Sequence, residues 1–238
     1  PLFYVYFRTG LPPFVQIEQQ RGQRQKNKEN FMRAGLAQMD ILWENVQKNK
    51  KKAEDFIKKA KELGYKRFIL MGHSYGCNKL IYYYYKKHPN IIGLIFASAP
   101  DMMGLHLYRQ TDYKELVKEA KENIDNGKPT KILSNVVEDY MYMSSQTYYD
   151  WFNEKSNLDN LPVMSYSENW YQFETIDVPI LTFSGSNETD NYLHLDLLKN
   201  KAKGCNNFEY KIIDNTNHFY KGKEEEIGCL VLDWIKFI

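Results

Sequence analysis

Phe68-Ile69-Leu70-Met71-Gly72-His73-Ser74-Tyr75-Gly76-Cys77-Asn78-Lys79-Leu80-Ile81 is the stretch on which the reading of this chain turns. Its first four residues form a short continuous apolar run, the pattern of a strand buried on both faces. Leu80, Ile81, Tyr84 and Tyr85 then recur at helical spacing as far as His88-Pro89, where a helix is expected to stop. Strand and helix follow so closely that the turn between them must be tight. Gly72-His73-Ser74-Tyr75-Gly76 fits the pattern G-x-S-x-G, which in a strand-to-helix setting forms a nucleophile elbow. Glycine at 72 and 76 is expected to let strand and helix pass closely and to push the Ser74 hydroxyl out above the sheet.

Working outward from the elbow, alternating strand and helix signals appear on both sides. Upstream, Leu2 to Phe7 is an aromatic, strand-prone run ending at Thr9-Gly10, and Phe14 to Glu18 is a second short strand closing at Arg21-Gly22. Phe31, Leu36, Met39, Trp43 and Val46 mark one face of an expected helix. Ala53, Phe56, Ile57, Ala60 and Leu63 mark another, with Gly64 as its stop. Downstream, Ile91 to Ala97 is a continuous apolar strand. Residues 101–176 then carry helical segments, among them Tyr113 to Ile124, and no convincing buried strand. Alternation resumes with a strand at Val178 to Ser184, a helix at Tyr192 to Ala202, a strand at Phe208 to Ile213 and a closing helix at Glu224 to Phe237. The pattern predicts a doubly wound, mostly parallel α/β sheet formed by residues 1–100 and 177–238, with 101–176 as a helical cap insertion.

Bulk composition narrows the function. The chain has 238 residues, of which 43% are hydrophobic and 26% charged, as expected for one globular domain with one core. A net charge of +2 gives no electrostatic case for binding nucleic acid, and Lys48, Lys50, Lys51 and Lys52 read as a solvated helix face. Three widely spaced cysteines, Cys77, Cys205 and Cys229, fit free thiols in a reducing compartment. No apolar run reaches membrane-spanning length and no signal peptide opens the chain, so a cytoplasmic protein is expected. His-Glu-x-x-His, paired C-x-x-C and G-x-x-x-x-G-K-[ST] are all absent, so neither metal nor cofactor is expected. The chain opens on Pro1 with a compressed first twenty residues, which suggests a missing upstream segment.

A serine hydroxyl is a poor nucleophile at neutral pH and needs a base within reach. Histidine suits, because its pKa lies near working pH. Of the five histidines, His73 flanks Ser74 directly, so its side chain is expected to point elsewhere. His88 ends a helix, and His106 and His194 hold no special position. His218 lies between the last strand and the last helix, at the sheet edge that carries Ser74. A carboxylate from the loop Gly185-Ser186-Asn187-Glu188-Thr189-Asp190 can accept the second imidazole N–H, and Glu188 and Asp190 both qualify. The Tyr75 amide supplies one oxyanion donor. The other would come from a loop after an earlier strand, and Gly10 in Phe7-Arg8-Thr9-Gly10 is the one early candidate.

With these residues in place, the chain resembles the α/β-hydrolase superfamily from about Phe14 onward. Within it, the chain is similar to small uncharacterised-domain hydrolases related to fungal siderophore esterases and to serine-aminopeptidase-like hydrolases. The resemblance rests on Gly64-Tyr65 through Gly72-His73-Ser74-Tyr75-Gly76-Cys77-Asn78-Lys79, on Ser98-Ala99-Pro100-Asp101, on Val178-Pro179-Ile180-Leu181 with Gly185, and on the segment from His218 to Glu226. It implies acyl transfer to water through an ester on Ser74. The acid commonly stands three residues after the loop glycine in that fold, which selects Glu188, while aspartate is the commoner residue type, which keeps Asp190 open. The expected His-Gly start of the second oxyanion loop is missing here. The aromatic density of 140–173 predicts rings that pack the insertion onto the sheet, with Tyr142, Trp151 and Trp170 as candidates to face substrate.

The expected activity is that of a carboxylesterase-like serine hydrolase acting on a small-molecule ester or an amide. Two other readings fit the same residues: an impaired fold that binds a ligand or partner, and an acyltransferase using the same triad.

Overall fold

Gly93–Ala97 (β5) and Ile180–Gly185 (β6) are buried at every residue; β5 is wholly apolar, and the two hydroxyls of β6 are hydrogen-bonded, Thr182 to the Phe96 carbonyl and Ser184 to Glu188. The computed structural model describes residues 2–6, 14–17, 34–38, 46–139, 141–164, 167–188 and 195–238. Within these, Leu2–Tyr6 (β1), Phe14–Ile17 (β2), Ala34–Gln38 (β3), Arg67–His73 (β4) and Phe208–Ile213 (β7) join β5 and β6 in a seven-stranded sheet. The strand order is β2-β3-β1-β4-β5-β6-β7, and every neighbouring pair is parallel except β2 with β3. Tyr6 of β1 stands beside Met71 of β4, and His73 beside Ala97 of β5, so the ends of β1, β4 and β5 share one edge.

Side chains alternate between two cores, as the two-residue period of a strand requires. On one face Leu94, Phe96 and Ile180 pack against Tyr75–Lys87 (α2) and Leu195–Lys201 (α6). On the other, Ile69, Ile95, Ala97, Leu181 and Phe183 pack against Glu224–Ile235 (α7), whose Trp234 is 2% exposed. Val46–Glu62 (α1) precedes β4 and packs Phe56 and Ala60 against Phe68.

Residues between β5 and β6 form Met102–Arg109 (α3), Tyr113–Asp125 (α4), Ser145–Phe152 (α5) and a short 3-10 helix at Phe173–Thr175. Among the described residues this segment has no strand, only isolated bridges at Ile132–Ser144 and Val137–Met141. It has a core of its own, built from Met103, Leu116, Val137, Tyr148 and Phe152 among others.

One expected element is different. The apolar set Phe31 to Val46 was expected on one helix, yet Ala34–Gln38 is strand β3, and the helix begins only at Val46. Ala-Gly-Leu-Ala-Gln has no β-branched residue, so local propensity does not announce a strand. Its position is set by pairing on both sides, with β1 and with β2.

Candidate active site

Ser74 stands between β4 and α2 at φ 55° and ψ −133°, a backbone conformation that L-residues rarely adopt. Such a residue costs about 1–3 kcal/mol and persists only where its surroundings enforce it. Here the Ser74 N–H donates to the Ala97 carbonyl at 2.8 Å, and the Cys77 N–H donates to the Ser74 carbonyl at 2.8 Å. Gly72 is sterically required: a Cβ there would lie 2.7 Å from the Gly76 carbonyl carbon and oxygen. Gly76 is not required in the same way, since a Cβ there meets nothing within 4 Å. The close approach expected of both glycines is therefore carried by Gly72, whose missing side chain makes room for the backbone of 76.

His218 and Glu188, expected as base and acid, are brought together. His218 Nδ1 lies 3.2 Å from Glu188 Oε2. The other carboxylate oxygen, Oε1, accepts from the Ser98 hydroxyl at 2.6 Å, the Ser184 hydroxyl at 2.7 Å and the Gly185 N–H at 2.7 Å. Behind Ser98 stands the Tyr220 hydroxyl, in contact with the Ser98 hydroxyl and 3.1 Å from the Phe183 carbonyl. Burial opposes ionisation of Glu188, but hydrogen bonds from His218, Ser98, Gly185 and Ser184 outweigh it and bring its pKa from 4.5 to about 2. Glu188 is thus a fixed anion facing an imidazole N–H. Gly185 allows the two loops to touch, because a Cβ there would lie 2.4 Å from the Thr216 carbonyl oxygen.

Asp190 and Gly10, the other acid and oxyanion candidates, lie outside the described residues. Tyr75 opens α2, so its N–H has no preceding helical turn to bond. No hydrogen bond joins the Ser74 hydroxyl to His218 among the described residues. Such contacts are often long before substrate binds. Cys77, three residues past Ser74, is no rival nucleophile, since burial pushes its thiol pKa up. Among the described residues no group of three or more His, Cys, Asp or Glu could hold a metal ion.

His73 was expected to point elsewhere than Ser74, and its ring reaches the loop that carries His218. Its Nε2–H donates to the His218 backbone carbonyl at 2.7 Å, and the two rings lie 4.7 Å apart. His73 was set aside because it flanks Ser74 directly, and its bond is made to the backbone of a residue 145 positions away, which spacing does not reveal. Of the aromatic candidates, Trp151 stacks on the Tyr75 ring at 4.2 Å. Trp170 is 4% exposed and belongs to the core, and Tyr142 is 77% exposed.

The fold matches solved structures along most of the chain. The chain is similar to the α/β-hydrolase GrgF from Penicillium sp. sh18, with 14% identity and a TM-score of 0.58 over 99% of this chain and 89% of that one. It is similar to a monoglyceride lipase from Saccharomyces cerevisiae, with 12% identity and a TM-score of 0.54 over 86% and 76%. It is also similar to Est1E from Butyrivibrio proteoclasticus, with 12% identity and a TM-score of 0.51 over 99% and 86%. No curated protein matches the sequence. Likeness at these identities establishes the α/β-hydrolase fold. The family model described as "Protein of unknown function (DUF1749)" matches residues 42–232, the span that holds Ser74, Glu188 and His218, and the chain therefore belongs to that family.

Proposed function

We propose that this protein is a serine hydrolase that cleaves a small-molecule carboxylic ester, or an amide, through an acyl-enzyme on Ser74. The observation that carries the proposal is the left-handed backbone of Ser74 on an edge shared with a His218–Glu188 pair. Strain of that kind clusters at functional sites, where the surrounding structure enforces it. In the first step Ser74 Oγ attacks the carbonyl carbon while its proton passes to His218 Nε2. Glu188 holds Nδ1–H, fixing the tautomer and stabilising the imidazolium. The developing oxyanion accepts from the Tyr75 N–H, and Gly10, four positions after the last residue of β1 in the sequence, is the proposed source of a second donor. The imidazolium then protonates the leaving alcohol or amine. Water, deprotonated by His218, releases the acid and restores Ser74.

The insertion at 101–176 is the proposed cap over Ser74, with Trp151 on Tyr75 as its contact with the elbow. That three esterase, lipase and hydrolase structures share the fold supports the reaction class. Free thiols at Cys77, Cys205 and Cys229 support a cytoplasmic setting. The described residues contain no helix long and apolar enough to cross a membrane.

The test is labelling with a fluorophosphonate, mapped by mass spectrometry, alongside turnover of a short-chain aryl ester. The expected result is a single adduct on Ser74 and a fall of at least about 10³-fold in turnover in Ser74→Ala. A folded protein that takes no label would overturn the proposal and favour a ligand-binding role for the same cleft. Transfer of the acyl group to added alcohols in preference to water would make it an acyltransferase.

A further inference from the structure

We infer that His73, the residue before the nucleophile, is a positioning residue that ties the base to the elbow; the inference rests on the hydrolase reading above. Ser74 and His218 are 144 positions apart in the sequence. His218 lies in a turn between β7 and α7, with Asn215 at φ 56° on one side and Tyr220 at φ 53° on the other. The flanks of the turn are tied down, by the Asn187 N–H on the Thr216 carbonyl at 2.9 Å and the Asn215 N–H on Ser186 Oγ at 2.9 Å, while the carbonyl of His218 itself is held by His73. Glu188 fixes one atom of the imidazole, Nδ1, and a ring held at one atom can still pivot. His73 holds the same residue at its backbone, where its Nε2–H donates to the His218 carbonyl at 2.7 Å, and lays its own ring against the imidazole at 4.7 Å. A carbonyl oxygen only accepts, so Nε2 must carry the proton.

His73 is bonded covalently to Ser74. The shortest link between nucleophile and base therefore runs through one peptide bond and one hydrogen bond. The His73 ring also bears on the His218 ring at 4.7 Å and 42°, and on the Tyr220 ring at 6.0 Å and 64°. Tyr220 in turn supports Ser98, which donates to Glu188. His73 thus touches both the base and the residue behind the acid. It does not contact the reacting atoms, and its effect on the reaction passes through the position of His218. Misplacing a base by about 1 Å costs on the order of 10²-fold in rate.

Three variants separate the donor from the ring. His73→Gln keeps an N–H donor at the reach of Nε2 and loses the ring. His73→Phe keeps the ring and loses the donor, and His73→Ala loses both. The readouts are the second-order rate of fluorophosphonate labelling, kcat and KM on a short-chain aryl ester, and the melting temperature. His73→Phe and His73→Ala are expected to lose roughly 10–100-fold in kcat and in labelling rate with KM within about twofold, and His73→Gln to recover most of the loss. A folded His73→Phe that labels at the wild-type rate would overturn the inference. So would a folded His73→Gln no faster than His73→Ala, the arm that still decides if the Phe variant does not fold. A wild-type chain that takes no label would remove the hydrolase reading itself, a different result from wild type labelling while the variants label equally fast.

Discussion

At the scale of single residues, Glu188 carries the largest electrostatic consequence. Its side chain is 5% exposed, and its pKa stands at about 2 instead of 4.5. The folded protein therefore holds this proton less tightly than the unfolded chain does. The stabilisation is complete above about pH 4.5 and is lost as pH falls from there to about 2, for a total on the order of 3 kcal/mol. Asp101 has the opposite sign: burial raises its pKa from 3.8 to about 6, so ionising it costs stability as pH rises between those values. Comparing wild type with Glu188→Gln cancels Asp101, which both proteins share. The wild-type advantage in urea unfolding is expected to be largest near neutral pH and to shrink as pH drops below about 4.5. An advantage that stays constant from pH 7 to pH 3 would contradict the assignment.

At the scale of elements, helices α3 and α5 meet around a histidine. His106 is fully buried, with Nδ1 3.1 Å from Glu138 Oε1 and Nε2 2.8 Å from the Tyr148 hydroxyl. Its ring stacks on Phe152 at 3.7 Å. A buried ring bonded at both nitrogens locks the insertion's own core, and removing it leaves a void and two unpaired polar groups. His106→Ala is expected to cost about 3 kcal/mol or more, read as a melting temperature lower by roughly 6–12 °C. The sequence shows His106 only as one more helical histidine, because its partners lie 32 and 42 positions away. Strand β3 was hidden for a related reason. A five-residue strand of small residues has no periodicity to read, and its pairing with β1 and β2 is what defines it.

At the scale of the whole molecule, a chain of amides fastens the insertion to the sheet domain. Asn78, on the elbow helix and fully buried, donates to the Pro100 carbonyl and to Asn160 Oδ1, both at 3.1 Å. Asn160 returns a bond to the Asn78 carbonyl at 3.0 Å and reaches Gln172 Oε1 at 3.1 Å. Gln172 donates onward to the Asn157 carbonyl at 3.0 Å. Unmaking part of a buried network leaves its remaining members unsatisfied, at about 1–3 kcal/mol each. Asn160→Ala is expected to speed amide hydrogen exchange across 157–173 more than in β4, β5 and β6. Uniform acceleration across both regions would show that the clamp contributes only global stability.

Sequence alone determined the elbow, the alternating strands and helices, the helical segment at 101–176, and His218 with two candidate acids. These are legible because they are local: a buried strand is a continuous apolar run, a helix has a 3.6-residue period, and G-x-S-x-G meets its steric demand within five residues. Tertiary structure decided what depends on distant chain meeting in space. It put Glu188 on His218, showed that Gly72 carries the close approach and Gly76 does not, made Ala34–Gln38 a strand, buried Trp170, and turned His73 toward the base loop. Each of these is fixed by a backbone or side chain well beyond the reach of local periodicity or by close packing, and neither leaves a periodic trace in the order of residues.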